Sequence, residues 1–176
     1  MTTPVSRVLE ELADREAIKE CLYRYARGVD RLDADMIRSA YWPDCIDSHM
    51  GFTGNAEEFI AWSFPIMGSM DQTMHMISNV LISLRGDEAD CEAYFYGIHR
   101  INLPDGSKSD VIGAGRYLDT LAKRDDEWRI LRRNVVTDWF RQYPDSADWS
   151  NGMLGIMIEP GGRHPDDESY SLLSLK

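Results

Sequence analysis

The amino-terminal part of the chain has the hydrophobic spacing of helices. In residues 14–29, apolar and aromatic side chains recur at intervals that bring them onto one face of a helix. These side chains are Ile18, Leu22, Tyr25, Ala26 and Val29. The pattern predicts a first helix with one face packed against a large hydrophobic core.

Capping residues predict two more helices in this region. Asp33 can accept hydrogen bonds from the free amides of a first helical turn, so a short helix is expected from there through about Tyr41, ended by Pro43. Asn55 stands three residues before Glu58, which is a variant of the capping box. A third helix is therefore predicted at about 56–66.

Strands are predicted for most of the remaining chain. A short strand is expected at about 45–52, and from Thr73 onward the residue pattern is typical of long strands. Short turns rich in Gly, Asp and Pro separate them, as in hairpins. The predicted long strands are 73–84, 89–103, 109–123 and 128–140.

Strict alternation assigns the side chains of the last strand to two faces. One face receives Trp128, Ile130, Asn134 and Val136, and the other receives Arg129, Leu131, Arg133 and Val135. Neither set is purely polar, so we expect one face to line a cavity and the other to contact another subunit. Arg132 and Arg133 are expected to be solvated or to lie at such a contact.

The order of elements predicts the fold class. Three helices followed by a meander of long strands are typical of an α+β domain in which a curved antiparallel sheet folds over the helices. We assign residues 1–140 to this domain. Residues 141–176 are rich in Gly and Pro, and we interpret them as a loop-rich C-terminal arm of the same domain.

The charge of the chain narrows the classes of partner. The 176 residues include 30 acidic and 19 basic side chains, with a net charge of −11, and the basic residues are scattered. Such a chain repels phosphate-rich partners, so we expect it to bind neither nucleic acid nor anionic membrane. Because no apolar leader segment or long apolar run is seen, we expect a cytoplasmic protein.

Cysteine and histidine spacing does not indicate a disulfide framework or a metal site. The three cysteines form no close pair, which is typical of reduced thiols that fill small apolar sites. The four histidines are far apart in sequence and form no closely spaced pair of ligands. We therefore assign no metal.

Asp30 and His75 are the residues best suited to acid–base chemistry. Asp30 falls at the border of the buried helix face, one turn after Ala26, and the alternative is a solvated helix-end carboxylate. His75 lies between Met74 and Met76 at the start of an apolar strand. It can accept a proton near neutral pH if a second group orients it, and is otherwise a core histidine.

Five further residues are candidates for the same site. His99 lies in a later strand and can point into the same cavity. Tyr25, on the apolar helix face, can direct its hydroxyl to an interior polar group, although a core aromatic is the alternative. Asp110 opens a strand near two glycines, Arg116 can bind an anionic group, and His49 belongs either to a pocket or to the surface.

Two segments closely resemble the opening of SnoaL-like proteins of the nuclear transport factor 2-like superfamily. Residues 14–33 read DREAIKECLYRYARGVDRLD, and residues 41–45 read YWPDC. His75 before a strand and the segments 115–117 and 128–130 extend the similarity over about residues 8–141. The combination is far more specific than any one of these pieces.

The resemblance implies a cone-shaped barrel of a curved sheet closed by helices around a deep pocket. The chain resembles scytalone dehydratase, bile-acid dehydratase and hexachlorocyclohexane dehydrochlorinase. Asp30 and His75 of this chain match the positions of the Asp–His dyad in these enzymes. Tyr25 and Asp110 match a tyrosine and an acidic pocket residue of the bile-acid enzyme. His99 lies roughly where scytalone dehydratase has its second histidine.

The function implied by the resemblance is that of a cofactor-independent, dehydratase-like lyase. Asp30, His75 and Tyr25 would carry the catalysis on a small hydrophobic cyclic substrate. The residues expected to contact that substrate are His99, Asp110, His49 and Arg116. The alternatives are an isomerase or polyketide-type cyclase, or a non-catalytic ligand-binding or assembly subunit. We also expect a homo-oligomer, either a dimer or a trimer.

Overall fold

The computed structural model describes residues 4–173. In chain order the elements are α1 (Pro4–Arg31), α2 (Ala34–Ala40), β1 (Tyr41–His49), β2 (Phe52–Gly54), α3 (Ala56–Gly68), β3 (Gln72–Arg85), β4 (Glu88–Asn102), β5 (Lys108–Arg124), β6 (Glu127–Pro144), a 3-10 turn (Met153–Gly155) and α4 (Ser169–Leu172). Among these described residues, no helix is both long enough and apolar enough to cross a membrane.

The six strands form one curved sheet in the order β2-β1-β6-β5-β4-β3. Strands β3 to β6 are an antiparallel meander, and β1 pairs in parallel with β6. Strands β2 and β3 are the two edges, so the sheet is open and is not closed into a barrel. The predicted α+β class, with a curved sheet and helices against it, is confirmed.

The helix caps predicted from the sequence are confirmed. Asp33 accepts a hydrogen bond from the backbone amide of Met36 at the start of α2, over 3.0 Å. Asn55 and Glu58 form a reciprocal capping box at the start of α3. Local side-chain chemistry is therefore sufficient to place these two helix starts.

Three boundaries differ from the predictions. Helix α1 begins at Pro4, well before its predicted start at about residue 14. The prediction was late because the first turns of the helix are mostly exposed and show no pattern of buried apolar side chains. The predicted strand 45–52 consists of two strands, β1 and β2, joined by a turn at Met50 and Gly51, which both have positive φ. Strand β6 continues to Pro144.

The core lies between α1 and one face of the sheet, which we call the inner face. Fully or almost fully buried side chains meet there, and burial of each large one contributes about 1.5–3 kcal/mol. They include Ile18, Leu22 and Val29 of α1, and Ala93, Tyr117, Leu121, Trp128 and Ile130 of the sheet. This layer holds α1 against the strands and so fixes the position of its last turn.

A β-bulge in β6 changes which side chains face the core. The register of β6 against β5 shifts between Ile130 and Arg132, so that Leu131 is the extra residue. Alternation is displaced beyond this point, and Ile130 and Arg133 are both buried. The faces predicted for this strand were therefore wrong, and so was the expectation that Arg133 is solvated or interfacial.

The chain after β6 folds back over its own domain. We call residues 145–173 the C-terminal segment. Near its start, the backbone amide of Ser146 donates to Asp110 over 2.6 Å, and further on the amide of His164 donates to the carbonyl of Arg31 over 2.8 Å. The segment therefore reaches the end of α1. The expected homo-oligomer stays a prediction.

Candidate functional site

The last turn of α1 carries Asp30, which is only 7% exposed. The turn ends at Leu32, which has a φ of 55° and lets the amide of Asp33 donate back to the carbonyl of Gly28 over 2.9 Å. Gly28 also permits close packing of α2, because a Cβ there would lie 2.7 Å from Cγ1 of Ile37. A carboxylate at this place is buried and sits at the negative end of a helix, so it needs strong partners.

His75, near the start of β3, supplies those partners. Its ring Nδ1 lies 2.7 Å from Asp30 Oδ1, and its backbone amide donates to Asp30 Oδ2 over 2.7 Å. Burial acts to raise the pKa of Asp30, but the hydrogen bonds and charge of His75 outweigh it, and the pKa lies below the usual value. Asp30 therefore stays ionised and holds Nδ1 of the ring as a donor.

The second ring nitrogen of His75 lies over the inner face of the sheet. Gly97 pairs with His75 across β3 and β4, and a Cβ at Gly97 would lie only 3.2 Å from His75 Nε2. The His99 ring stands edge-on to His75 with 5.0 Å between ring centroids. The glycine thus makes room for two histidine rings side by side.

Space continues along the sheet from this point. Gly113 of β5 pairs with Gly97, so the two glycines share the inner face with His75. A Cβ added at Gly113 would meet no atom within 4 Å. The inner face beside His75 Nε2 therefore offers room for a ligand.

An open cleft of about 310 Å³ also borders the dyad, between α1 and β3. Tyr23 and Arg27 line it from the helix, and Met74 lines it from the strand. Its walls are of mixed polarity, and it is open to solvent. The deep apolar pocket that the resemblance implied stays a prediction.

Tyr25 is packed in the core beneath this site. It is 2% exposed, and its ring contacts Tyr117 and Phe59, with 5.6 and 6.0 Å between ring centroids. The guanidinium of Arg133 lies 4.0 Å from the same ring. Burial raises the pKa of the Tyr25 hydroxyl well above its usual value, so it is a proton donor rather than a base.

A second carboxylate–histidine pair lies among the core aromatics. Asp47 is fully buried, and its Oδ1 lies 3.3 Å from Nδ1 of His49. The His49 ring packs against Phe59 and Trp62, with 5.3 and 6.2 Å between ring centroids. His49 is therefore not a surface residue, and the alternative that it lines a ligand pocket stays a prediction.

Two of the predicted substrate contacts are engaged elsewhere. Asp110 accepts from Nη1 of Arg100 over 3.0 Å and from the start of the C-terminal segment. Arg116 lies between Gly115 and Tyr117 of β5, which are both buried, so its side chain points to the opposite face of the sheet. There it forms ion pairs with Glu92 and Asp138, at 3.2 and 2.8 Å. The structure therefore brings His99 to the dyad, but not these two side chains.

Sequence reasoning missed two polar groups that contact the dyad. Thr73 stands two residues before His75 in β3 and is 3% exposed, and its side chain helps to lower the pKa of the Asp30 carboxyl. Its spacing on the same strand face was a usable signal. Arg163 of the C-terminal segment donates to the backbone carbonyl of Asp30, and no local pattern predicts a contact across 133 residues.

The buried His99 makes stability depend on pH. Burial, with a smaller effect of His75, lowers the pKa of His99 to about 4, from 6.5. At a pH between these two values, His99 is more often protonated in the unfolded chain than in the folded protein. The free energy of unfolding therefore falls as the pH drops from about 7.5 to about 5, and His99 accounts for on the order of 2 kcal/mol of this loss. We expect His99→Gln to lose less stability than wild type over this range in urea unfolding, and equal losses would contradict the assignment.

The family of the chain is shown by sequence. The profile of the SnoaL-like domain matches residues 10–134. The chain therefore belongs to the SnoaL-like family, within the nuclear transport factor 2-like superfamily. Among the described residues, no group of three or more His, Cys, Asp or Glu side chains is arranged to hold a metal ion.

Solved structures share the fold at low sequence identity. A putative scytalone dehydratase from Novosphingobium aromaticivorans aligns with a TM-score of 0.67 at 23% identity, over 78% of this chain and 97% of that one. Hexachlorocyclohexane dehydrochlorinase LinA-type3 from Novosphingobium barchaimii aligns with a TM-score of 0.67 at 20% identity, over 86% and 98%. The Kfla4162 protein of Kribbella flavida gives 0.68 at 20% identity, over 74% and 95%. No curated protein gives a significant sequence match.

Proposed function

We propose that the protein is a cofactor-independent, dehydratase-like lyase in which His75 removes a proton from carbon. The observation that carries this proposal is the two-point contact between Asp30 and His75, which leaves Nε2 of the ring toward the space above Gly97 and Gly113. A histidine held by a carboxylate at one nitrogen is oriented as a base at the other. The family, and the dehydratase and dehydrochlorinase names among similar folds, add support.

The proposed reaction is an elimination. Nε2 of His75 takes a proton from a carbon next to a carbonyl or another electron-withdrawing group, and Asp30 stabilises the imidazolium that results. The electron pair of the broken C–H bond forms the new double bond as a leaving group departs. If the leaving group is hydroxide, it takes up a proton and departs as water. General acid–base assistance of this kind contributes about 10²–10⁴-fold to the rate.

Two residues are proposed to assist the oxygen that gains charge or leaves. His99 is neutral at neutral pH and stands beside His75, so it can donate a hydrogen bond there. Tyr25 keeps its proton because of burial and is the second proposed donor. His99 is the better placed of the two, because Tyr25 is packed against Arg133 and the core aromatics. An isomerase or cyclase would use the same first step.

A second candidate function is that of a non-catalytic assembly subunit. It is favoured by large apolar side chains that are 38–61% exposed on the outer face of the sheet. These side chains are Met74, Met76, Tyr94, Tyr96 and Trp139. Such a subunit would not require a buried Asp–His pair, which is why the lyase is our first proposal.

The experiment that separates the two is a screen for elimination. Hydroxylated cyclic ketones are incubated with wild type and with His75→Gln, and formation of the conjugated enone is followed by ultraviolet absorbance. We expect wild type alone to turn over at least one compound of the panel. Turnover that His75→Gln retains in full would refute the lyase mechanism.

Gly113 is expected to determine which ring sizes fit. Gly113→Leu fills the space beside His75 and should lower kcat/KM for a bulky cyclic substrate by about 10- to 100-fold. Gly113→Ala should have a smaller effect. Ala114→Leu, at the next position and on the other face of β5, is the matched control for a bulkier side chain. Wild-type kinetics in Gly113→Leu would show that the substrate does not occupy this space.

A further inference from the structure

The C-terminal segment brings a cation to the carboxylate end of the dyad. Nη1 of Arg163 donates to the backbone carbonyl of Asp30 and, over 2.9 Å, to Oγ1 of Thr73. Its Nη2 lies 3.4 and 3.5 Å from the carbonyls of Met67 and Met70, at the end of α3. Arg163 therefore joins the ends of α1 and α3 to the start of β3.

Thr73 connects this cation to the reactive pair. Its hydroxyl accepts from Arg163. Its side chain also helps to hold the pKa of the Asp30 carboxyl below the usual value. Asp30 in turn accepts from both the ring and the backbone of His75. Arg163, Thr73, Asp30 and His75 therefore form one polar cluster that connects the C-terminal segment to the imidazole.

The position of Arg163 has an electrostatic consequence. The backbone carbonyls at the end of α1 carry the negative end of the helix dipole, which disfavours an ionised Asp30 in the last turn. A guanidinium that binds these carbonyls offsets this effect and attracts the carboxylate directly. Asp30 is also among the charges that act on Arg163.

We propose that Arg163, acting through Thr73, is a positioning residue that keeps Asp30 ionised and aimed at His75. This inference rests on the proposed function, because it assigns a role within the same dyad. It also extends the site to the C-terminal segment, which lies outside the residues matched by the family profile.

Other ionisable groups lie near the dyad and also influence its charge. On α1, Arg31 pairs with Asp167 of the C-terminal segment at 3.5 Å, and from β4 the neutral His99 faces His75. Arg27 of α1 borders the cleft and donates to Ser169 over 2.9 Å. None of these side chains is replaced when Arg163 alone is changed.

The test compares Arg163→Gln, Arg163→Lys and Thr73→Val in the full chain. The pKa of Asp30 is measured by carbon-13 NMR of its carboxyl group, and the hydrogen bond to His75 by the downfield Nδ1–H proton resonance. We expect Arg163→Gln and Thr73→Val each to raise the pKa of Asp30, by about one unit for Arg163→Gln. Arg163→Lys should return part of that shift. The effects in the double variant of Arg163→Gln and Thr73→Val should be less than additive, because the two side chains are in direct contact.

Tyr170→Phe is the matched control. It removes the 2.8 Å hydrogen bond from Tyr170 to Asp33 and so loosens the same segment at another point, without touching Arg163. It should leave the pKa of Asp30 and the His75 resonance unchanged. An Arg163→Gln protein with no shift, or with the same shift as Tyr170→Phe, would overturn the proposal.

Kinetics separate this proposal from the function it rests on. With a substrate in hand, Arg163→Gln should lower kcat by about 10-fold, with little change in KM, as expected for loss of a group that orients a reacting side chain. The two NMR measurements need no substrate. If they respond as expected while His75→Gln has full activity, the coupling holds and the lyase function fails; if they do not respond, the coupling is wrong whatever the activity.

Discussion

Replacing His75 by glutamine is expected to lower turnover by about 10²–10⁴-fold, because the base that removes the proton is lost. The expected change is in kcat, with KM nearly unchanged, since the same space beside Gly113 remains available to the substrate. Steady-state kinetics on the substrate found in the screen measure both quantities. Circular dichroism and thermal unfolding check that the variant is folded.

Asp30→Asn tests the other half of the pair. An asparagine side chain has one acceptor oxygen, whereas Asp30 serves two donors of His75, its ring Nδ1 and its backbone amide. We expect a comparable loss of kcat, and little further loss in the double variant with His75→Gln, because the two residues act as a unit. His164→Gln, at an exposed histidine, is the control. Additive losses in the double variant would argue against a dyad.

Replacing Arg133 by methionine is expected to destabilise the fold by about 3–5 kcal/mol, because it leaves a buried carboxylate without its partner. Arg133 makes two hydrogen bonds to Asp119, of 2.8 and 2.6 Å, and both side chains are fully buried. The rings of Tyr25 and Tyr117 lie 4.0 and 4.1 Å from the guanidinium. Urea unfolding at neutral pH measures the loss.

Two comparisons sharpen this prediction. Burial already raises the pKa of Asp119, against the opposing charge of Arg133, and without Arg133 the native state should bind a proton there more readily still. Lowering the pH should therefore reduce the stability deficit of Arg133→Met. Asp119→Leu combined with Arg133→Met should recover much of the loss. A deficit below about 1 kcal/mol, or one that does not depend on pH, would contradict this interpretation.

The parts of the fold that short-range patterns govern could be predicted from the sequence. The buried face of α1 follows from its apolar spacing, and the starts of α2 and α3 follow from Asp33 and Asn55. Each of these depends on residues within one or two helical turns. The α+β class follows from the order of these elements and the long strands behind them.

The predictions that were wrong concern features that depend on contacts between distant segments. Strict alternation assumes an uninterrupted strand, and the bulge at Leu131 exists only in the pairing of β6 with β5. The burial of Arg133 follows from that bulge, so its charge was misleading. The first turns of α1 are exposed and leave no buried face to detect.

The candidate site shows the same division. No periodic pattern links Asp30 and His75, which are 45 residues apart, and only the family resemblance suggested that they meet. Asp110 and Arg116 were suggested by residue type or by resemblance alone, and both have ion-pair partners away from the dyad. Arg163 lies beyond the segment that the family profile matches, so neither source of information included it.

The most direct test of proton removal by His75 is hydrogen–deuterium exchange on carbon. A cyclic ketone from the screen is incubated with enzyme in deuterium oxide, and loss of the proton signal next to the carbonyl is followed by NMR. This readout reports the first step whether elimination, isomerisation or cyclisation follows. The proposed mechanism predicts exchange with wild type and with His164→Gln, and none above the uncatalysed rate with His75→Gln. Exchange at the wild-type rate in His75→Gln would contradict it.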